Sequence, residues 1–467
     1  MERDLNAGSV ARTVFAFGMP LAFGMASHAS FNLFDLWIVG SLGEDAVAAV
    51  HLGSTINFFP MIVGNGISVG AVALISQRIG RKQHTEAAKT ANLASILMLL
   101  VSLVLGGACA LFARGLIDVQ SGTGGSAAVG SEYLEVVSWG TFTMFGLMHV
   151  TGVLRAIGNA MWPLVLMLGS NALNIALDFV LIFGWPSFGI EAMGAVGAAW
   201  ASVLARLVFV VLGYCVLARA SSPLRPGRAL PRDLRGEFLR ILRIGVPQSV
   251  QMFVRASLVL TVTRIAGEVG GTAAQAALGV ATRLDTVVLF SAVGWAGAAT
   301  AMVGQASAAR LTGRCQRAAW VAAAYAAASG LVCGLVFLLF SDPLYLLFVP
   351  EGGAAYLAHG RLYFAVLAFA HPAAAASLVL AGAWNGVGVS VRPMLFDLVG
   401  FGLLLQPFLF FWHAQAANLG LLGVWLAVLV VNWLLFAAYA VRLRRSQWAG
   451  EWQDVLPLCP ESRGSPL

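Results

Sequence analysis

Two aspartates and two asparagines lie within segments that are otherwise strongly apolar. Asp35 is part of FNLFDLWIVG, and Asn171, Asn174 and Asp178 are part of SNALNIALDFVLIFG. A carboxylate at the middle of a bilayer costs about 2.5–3.5 kcal/mol on insertion scales, so it is seldom kept without a cavity, a partner or a cargo. The pattern therefore favours ion-coupled movement of a compound across a membrane.

The spacing of these residues indicates what they could bind. Asn174 and Asp178 are four residues apart and share one helical face, and Asn171 lies three residues further back on that face. A carboxylate beside amides can hold a proton or coordinate a hard cation. Asp35 is expected at the same depth as Asp178, and two carboxyl groups in one dry cavity resist ionising together, which favours proton uptake. A structural polar cluster, or neutralisation by Arg206, is the alternative.

Long apolar segments must position these groups. Of the 467 residues 59% are hydrophobic and 10% charged, with mean hydropathy +0.84, whereas soluble domains carry about 25% charged residues. The fold class is therefore an all-α polytopic membrane protein, and hydropathy predicts twelve transmembrane helices. The predicted spans are 13–40, 46–77, 91–112, 133–155, 163–184, 194–218, 242–265, 279–306, 319–341, 361–386, 393–414 and 418–441.

Charge alternates from one connecting loop to the next. Arginines and lysines follow the even-numbered spans, and acids predominate in the other loops. By the positive-inside rule both termini are cytoplasmic, in a multi-pass protein of the inner (plasma) membrane. Because the net charge of +7 is placed as topology determinants would be, we expect no nucleic-acid partner. The five cysteines lack metal-ligand spacing, and we expect no cofactor.

The chain contains an internal repeat. GISVGAVALISQRIG (66–80) parallels GWAGAATAMVGQASA (294–308), and GNAMWPL (158–164) parallels GVSVRPM (388–394), at a nearly constant offset. Six spans per repeat restore the starting side, which is typical of transporters that rock two halves about a central site. The predicted parts are an N-lobe (1–218), a cytoplasmic basic linker (219–243), a C-lobe (244–445) and a cytoplasmic tail (446–467).

Three further features have less weight. Gly66–Gly70 matches the GxSxG motif of hydrolases, but it lies inside a predicted span and lacks the strand-turn-helix context. His28, His149 and His371 are scattered, which favours packing over a proton relay. Pro20 removes a backbone hydrogen bond within the first span, and this predicts a bend or a hinge.

Several short sequences, in this order and spacing, resemble the multidrug and toxic compound extrusion (MATE) family of antiporters from about residue 13 to residue 441. They are GMP and FDLWIVGSLG, GAVALISQRIG, LRAIGNAMWPL, NALNIALDFVLIFG and GAVGAAWAS. The resemblance implies a V-shaped fold of two pseudo-symmetric six-helix lobes. It also implies export of lipophilic, often cationic compounds in exchange for inward H⁺ or Na⁺.

The resemblance also implies roles for individual residues. Asp35, Asn174 and Asp178, with Asn171 nearby, are expected to bind the coupling ion. Protonation is expected to bend the first helix near Pro20. A Na⁺ ion at Asp35, Asp178 and Asn174 is the alternative to a proton.

The C-lobe departs from the family's pattern. Some Na⁺-coupled members carry acids in the seventh and tenth helices, where this chain has Arg255 and an alanine near Ala374. A C-lobe Na⁺ site is therefore not expected, and H⁺ is favoured. Internal ion pairing is the expected state of the four charged residues of this lobe, which are Arg255, Arg283, Asp285 and Asp397.

Arg255, Gln248 and Asn32 are the candidates for contact with substrate, and Arg255 on the cavity would select against cations. We expect a monomer in the lipid bilayer that carries small molecules and is not an enzyme. A flippase for a lipid-linked precursor is the alternative within transport, and a broad basic cavity would favour it. A membrane-embedded enzyme or a transport-inactive scaffold would belong to other classes.

Overall fold

A computed structural model describes residues 4–121, 125–219, 224, 227, 229–415 and 420–445. Helices occupy nearly all of these residues, because a backbone surrounded by lipid must satisfy its hydrogen bonds within each segment. The predicted tail, 446–467, lies outside this part of the chain.

Breaks within long helical stretches define the individual spans. Leu234–Ala308 runs for 75 residues, whereas one crossing needs about 20. Gly271 interrupts it with φ 67° and ψ −164°, a backbone conformation that glycine adopts without a steric penalty. The seventh span therefore ends and the eighth begins at Gly271. Two other spans are bent pairs of helices, with bends of 42° and 52°.

With these breaks the described residues form the twelve predicted spans. Short helices Ala113–Ser121 and Ser341–Phe348 precede the fourth and tenth spans. In chain order the spans are Val10–Gly40, Glu44–Gly80, His84–Leu111, Gly125–Trp139 with Thr141–Ala156, Met161–Phe183, Gly194–Arg219, 234–270, 272–308, Thr312–Leu339, Ala354–Leu367 with His371–Val387, 391–415, and Gly420–Arg445.

The seventh span begins earlier than hydropathy predicted, at Leu234 rather than at residue 242. Asp233 caps the helix by accepting a hydrogen bond from the Gly236 amide at 2.8 Å. Glu237 is buried and pairs with Arg78 of the second span at 2.7 Å. The end of the predicted linker is therefore helical and is fastened to the N-lobe.

The two lobes share unusual turns at equivalent positions of the repeat. Lys82 and Arg310, which follow the second and eighth spans, have φ of 61° and 60°. Gly158 and Gly388, which follow the fourth and tenth, have φ of 85° and 93°. Positive φ is uncommon for residues other than glycine, so the coincidence confirms the pseudo-symmetry predicted from the sequence.

The lobes meet at what we call the basic end, where the second, fourth, eighth and tenth spans finish. A Cβ added at Gly80 would lie 2.2 Å from the Gln305 carbonyl oxygen, so these backbones approach as closely as glycine allows. Gln77 donates to the Gly386 carbonyl at 2.8 Å, and Gln305 donates to the Ala156 carbonyl at 2.7 Å. Each glutamine thus caps the last turn of a helix in the opposite lobe, and we call this pair of bonds the glutamine latch.

The first span crosses from one lobe to the other. Phe17 and Leu21 pack in a hydrophobic cluster with Trp295 of the C-lobe. Ile38, near the other end of the span, packs with Tyr133 of the N-lobe. Pro20 lies next to the point where the packing changes.

The seventh span makes the reciprocal crossing. Ile241 packs in a cluster of N-lobe residues, whereas Val254 and Val262 pack in the C-lobe. Pro247 lies between these positions, as Pro20 does in the first span. Rotation of one lobe against the other must therefore deform both spans near their prolines.

Candidate functional site

A cavity of about 440 Å³ lies between the lobes and is lined mostly by N-lobe spans. Asp35, Asn171 and Asn174 line it, and so does Pro20. Asp178 lies behind the wall and has no exposed surface. The four residues predicted from the sequence therefore lie at or just behind one wall of the cavity.

The carboxyl groups of Asp35 and Asp178 are neighbours, close enough to interact electrostatically. Oδ1 of Asp35 and Oδ2 of Asp178 are buried and receive no hydrogen bond from any described donor. Two ionised carboxylates so placed repel each other, so the pair favours holding a proton.

A short chain of hydrogen bonds orients the buried aspartate. Ser202 donates to Oδ1 of Asn174 at 3.1 Å, and Nδ2 of Asn174 donates to Oδ1 of Asp178 at 3.2 Å. Asn174 therefore presents an amide donor to the carboxylate. Sequence reasoning missed Ser202, because a serine in the small-residue run GAAWAS of the sixth span looks like ordinary helix packing.

Asn171 bonds elsewhere, although it lies on the same helical face. Its Oδ1 is 3.2 Å from Nδ1 of His28, and its Nδ2 is buried without a described partner. His28 was predicted to be a packing residue, but it lines the cavity and lies 6.0 Å, ring to ring, from Phe290. Asp35 and Asp178, which we call the acidic pair, therefore lie beside the Asn171–His28 pair on the same side of the cavity.

Arg206 also lines the cavity and is close enough to interact electrostatically with Asp35 and Tyr133. Among the described side chains no ion pair joins it to Asp35 or to Asp178. The aspartates are consequently not locked to a guanidinium partner.

The charged residues of the C-lobe are mostly satisfied by one another. Asp397, fully buried, receives two hydrogen bonds from Arg255 at 2.8 and 3.0 Å and one from Tyr439 at 3.2 Å. Asp285 pairs with His371 at 3.1 Å and accepts a hydrogen bond from Tyr363. The expected internal pairing is thus present, although the partner of Asp285 is a histidine.

The same expectation was wrong for Arg283. It lines the cavity on the eighth span and makes no ion pair with a described side chain. The periodicity of a span gives the depth of a residue but does not show which face is turned towards the cavity.

The residues proposed from sequence for substrate contact lie mainly elsewhere. Arg255 pairs with Asp397, and its guanidinium lies 5.1 Å above the Phe401 ring in a π-helical turn. Gln248 accepts a hydrogen bond from Asn385 at 2.6 Å. Neither is among the described residues that line the cavity. The Asn32 side chain is outside the described part of the structure.

The twelve-span, two-lobed fold with ionisable groups on a central cavity defines a polytopic membrane transporter. The MatE family model matches residues 20–180 and 247–411, so the chain belongs to the multidrug and toxic compound extrusion (MATE) family. The resemblance predicted from the sequence is therefore confirmed.

Curated relatives are similar over nearly the whole chain. Probable multidrug resistance protein YpnP of Bacillus subtilis is 25% identical over 442 residues, which cover 93% of this chain and 96% of the relative. A probable multidrug resistance protein NorM of Rhizobium meliloti is 27% identical over 452 residues, covering 91% and 93%.

Solved structures show the same fold. A multidrug resistance MATE family transporter in an outward-facing conformation superposes with a TM-score of 0.87 at 22% identity, covering 95% of this chain and 98% of that chain. A transporter of the MOP superfamily from Pyrococcus furiosus, described as having a binding pocket of reverse polarity, superposes with a TM-score of 0.85 at 22% identity, covering 94% and 96%.

Proposed function

We propose that this protein is a proton-driven exporter of lipophilic compounds that works by alternating access in the inner membrane, with both termini in the cytoplasm. The observation that carries the proposal is that Asp35 and Asp178 are neighbours at the cavity wall. The names of the curated relatives, probable multidrug resistance proteins, support drugs and toxic compounds as cargo.

Gain or loss of a proton by the acidic pair changes the force between the first and fifth spans. Two unit charges about 4 Å apart repel by roughly 4 kcal/mol at an effective dielectric constant of 20. Loss of the shared proton would therefore push Asp35 and Asp178 apart, and uptake of a proton would let them approach again. Because they belong to different spans, this cycle moves the first span against the fifth.

The packing of the first span directs that movement to Pro20. The part before the proline packs with the C-lobe and the part near Ile38 packs with the N-lobe. Pro20 cannot donate the backbone hydrogen bond that resists bending at this point. It is therefore the proposed hinge that converts protonation into rocking of the lobes.

The cavity wall suits cargo of varied shape. Five methionines line it, and the phenylalanines Phe31, Phe58 and Phe290 add aromatic surface. Methionine is unbranched and polarizable, so its side chain adapts to ligands of different outline. The methionines are Met25, Met61, Met144, Met148 and Met167.

The local chemistry favours H⁺ over Na⁺. Asn174 points its amide nitrogen at Asp178, so the amide acts as a donor there and not as an oxygen ligand. A hard cation prefers a shell of several oxygens, whereas a proton needs only the two carboxyl groups.

Substitution of Asp35 tests the proposal. We expect Asp35→Asn to abolish dye efflux driven by a pH gradient in reconstituted vesicles, because asparagine cannot gain or lose the proton. Asp342→Asn, in the short helix before the tenth span, is the matched control and should transport normally. Full efflux by Asp35→Asn, or efflux by the wild type that follows an imposed Na⁺ gradient alone, would refute proton coupling at this site.

A further inference from the structure

Three arginines face the cavity without forming an ion pair with a described side chain. Arg155, Arg206 and Arg283 come from the fourth, sixth and eighth spans and all line the cavity. Among the described side chains none of them forms an ion pair or a hydrogen bond. All three side chains are partly buried. Charged side chains within membrane spans normally pair with one another or mark the path of a substrate or ion, so these three favour a ligand that pairs them.

The charge of the wall is consequently positive. When Asp35 and Asp178 share a proton they carry one negative charge between them, against the three guanidinium groups. Each guanidinium keeps its charge at any physiological pH. A cationic cargo would therefore meet net repulsion, and an anionic one net attraction.

Of the three arginines, Arg155 has a buried donor that no described group uses. It lies in the last turn of the fourth span, at the basic end of the cavity, and its Nε is buried with no hydrogen-bond partner. Gly297 of the opposite lobe makes room for it, because a Cβ added there would lie 2.9 Å from Nη1.

Neutral polar groups surround the same point. A Cβ added at Gly152 would lie 3.1 Å from the Ser68 hydroxyl and 3.7 Å from Nη2 of Arg155, so the hydroxyl and the guanidinium flank one spot. Asn65 and Thr151 also line the cavity. The Ser68 and Thr151 hydroxyls donate to backbone carbonyl groups. The donors left for an anionic group are therefore the Asn65 amide and the planar guanidinium, which can give two parallel hydrogen bonds.

We propose that the cavity binds amphiphilic anions, with a carboxylate, sulfonate or phosphate group at Arg155 and an apolar body against the methionines. Arg206 and Arg283, further from the basic end, draw the anion inwards. This inference rests on the proposed function, since it names the cargo class of the proposed exporter. It differs from the cationic cargo that the family resemblance implied.

Binding to the purified full-length protein tests the proposal without any gradient. The probes are anilinonaphthalene sulfonate, an amphiphilic anion, and a rhodamine ester of similar size that is cationic. We expect the wild type to prefer the anion, and Arg155→Gln to weaken anion binding roughly 10- to 100-fold, as loss of a charged hydrogen bond does. Arg155→Lys should recover part of the affinity. Arg114→Gln, at an exposed position outside the cavity, is the control and should bind the anion as tightly as the wild type.

Competition identifies the source of the anionic group. Displacement of the sulfonate probe by decyl sulfate but not by diacyl phosphatidate would support a soluble organic anion. Displacement by the phosphatidate would support a lipid headgroup, as a flippase requires. Equal or tighter binding of the rhodamine ester, or an unchanged affinity in Arg155→Gln and Arg283→Gln proteins that are folded by circular dichroism, would overturn the proposal.

The two proposals fail in different ways. Proton-driven efflux of the rhodamine ester without binding of anilinonaphthalene sulfonate would refute the anion site and support the exporter. Tight binding of anilinonaphthalene sulfonate that depends on Arg155, without efflux under any gradient, would refute the exporter and support the anion site.

Discussion

The two lobes are copies of one architecture, yet they treat their buried carboxylates differently. In the C-lobe, Asp397 receives three hydrogen bonds from Arg255 and Tyr439. In the N-lobe, Asp35 and Asp178 have mainly each other and one amide, that of Asn174. A fully partnered carboxylate has no need of a mobile ion, whereas an under-partnered pair beside a cavity does. In the proposed mechanism the N-lobe therefore carries the coupling, and the C-lobe supplies a rigid counterpart.

The strongest test of this comparison replaces one buried aspartate of each lobe with asparagine. Asp178→Asn should abolish proton-driven efflux with little loss of stability, because it removes a charge that has few partners. Asp397→Asn should lower stability by about 3–5 kcal/mol, because it leaves a buried guanidinium without its partner. Thermal unfolding in detergent and efflux from vesicles measure the two effects. Equal destabilisation by both variants would mean that the lobes do not differ in this way.

The difference between the lobes was only partly readable from the sequence. Hydropathy and the outward path of each span placed Asp35 and Asp178 at one depth, and the structure brings them together. The rotation of a helix about its axis is set by packing against other helices, so the cavity-facing positions of Arg155 and Arg283 did not follow. Arg255 was a candidate for the cavity from its place in the family's pattern, although internal ion pairing was also expected for it, and the structure pairs it with Asp397.

The crossing of the first and seventh spans between the lobes escaped prediction for a related reason. Both halves of each span are equally apolar, and hydropathy does not identify the neighbours that they touch. The positions of Gly18 and Pro20, repeated at Gly245 and Pro247, were visible in the sequence. Their place at the change of packing partner became clear only from the hydrophobic clusters.

The paired prolines sharpen the comparison. Pro20 and Pro247 share a geometry, but only the first span carries an aspartate of the acidic pair. Pro20→Ala should slow proton-driven efflux and reduce its response to the pH gradient, whereas Pro247→Ala should slow efflux without changing that response. Initial efflux rates over a series of imposed gradients distinguish the two. Identical behaviour of the variants would show that bending is independent of the acidic pair.

Substitutions in the glutamine latch should have the smallest effect of those considered, and the effect should be similar for the two lobes. Gln77→Leu and Gln305→Leu each remove one hydrogen bond across the basic end, and a neutral bond contributes about 1 kcal/mol, or roughly fivefold in the population of two states. We expect both variants to favour opening of the basic end to a similar extent, because the two bonds are equivalent in the repeat.

Distances between spin labels placed across the basic end measure this shift, and Gln83→Leu, outside the latch, is the control. A large effect at one glutamine only would show that the lobes differ at their contact as well as at their carboxylates. Equal and modest effects would instead show that the lobes are equivalent at the glutamine latch. The difference between them would then be limited to the acidic pair.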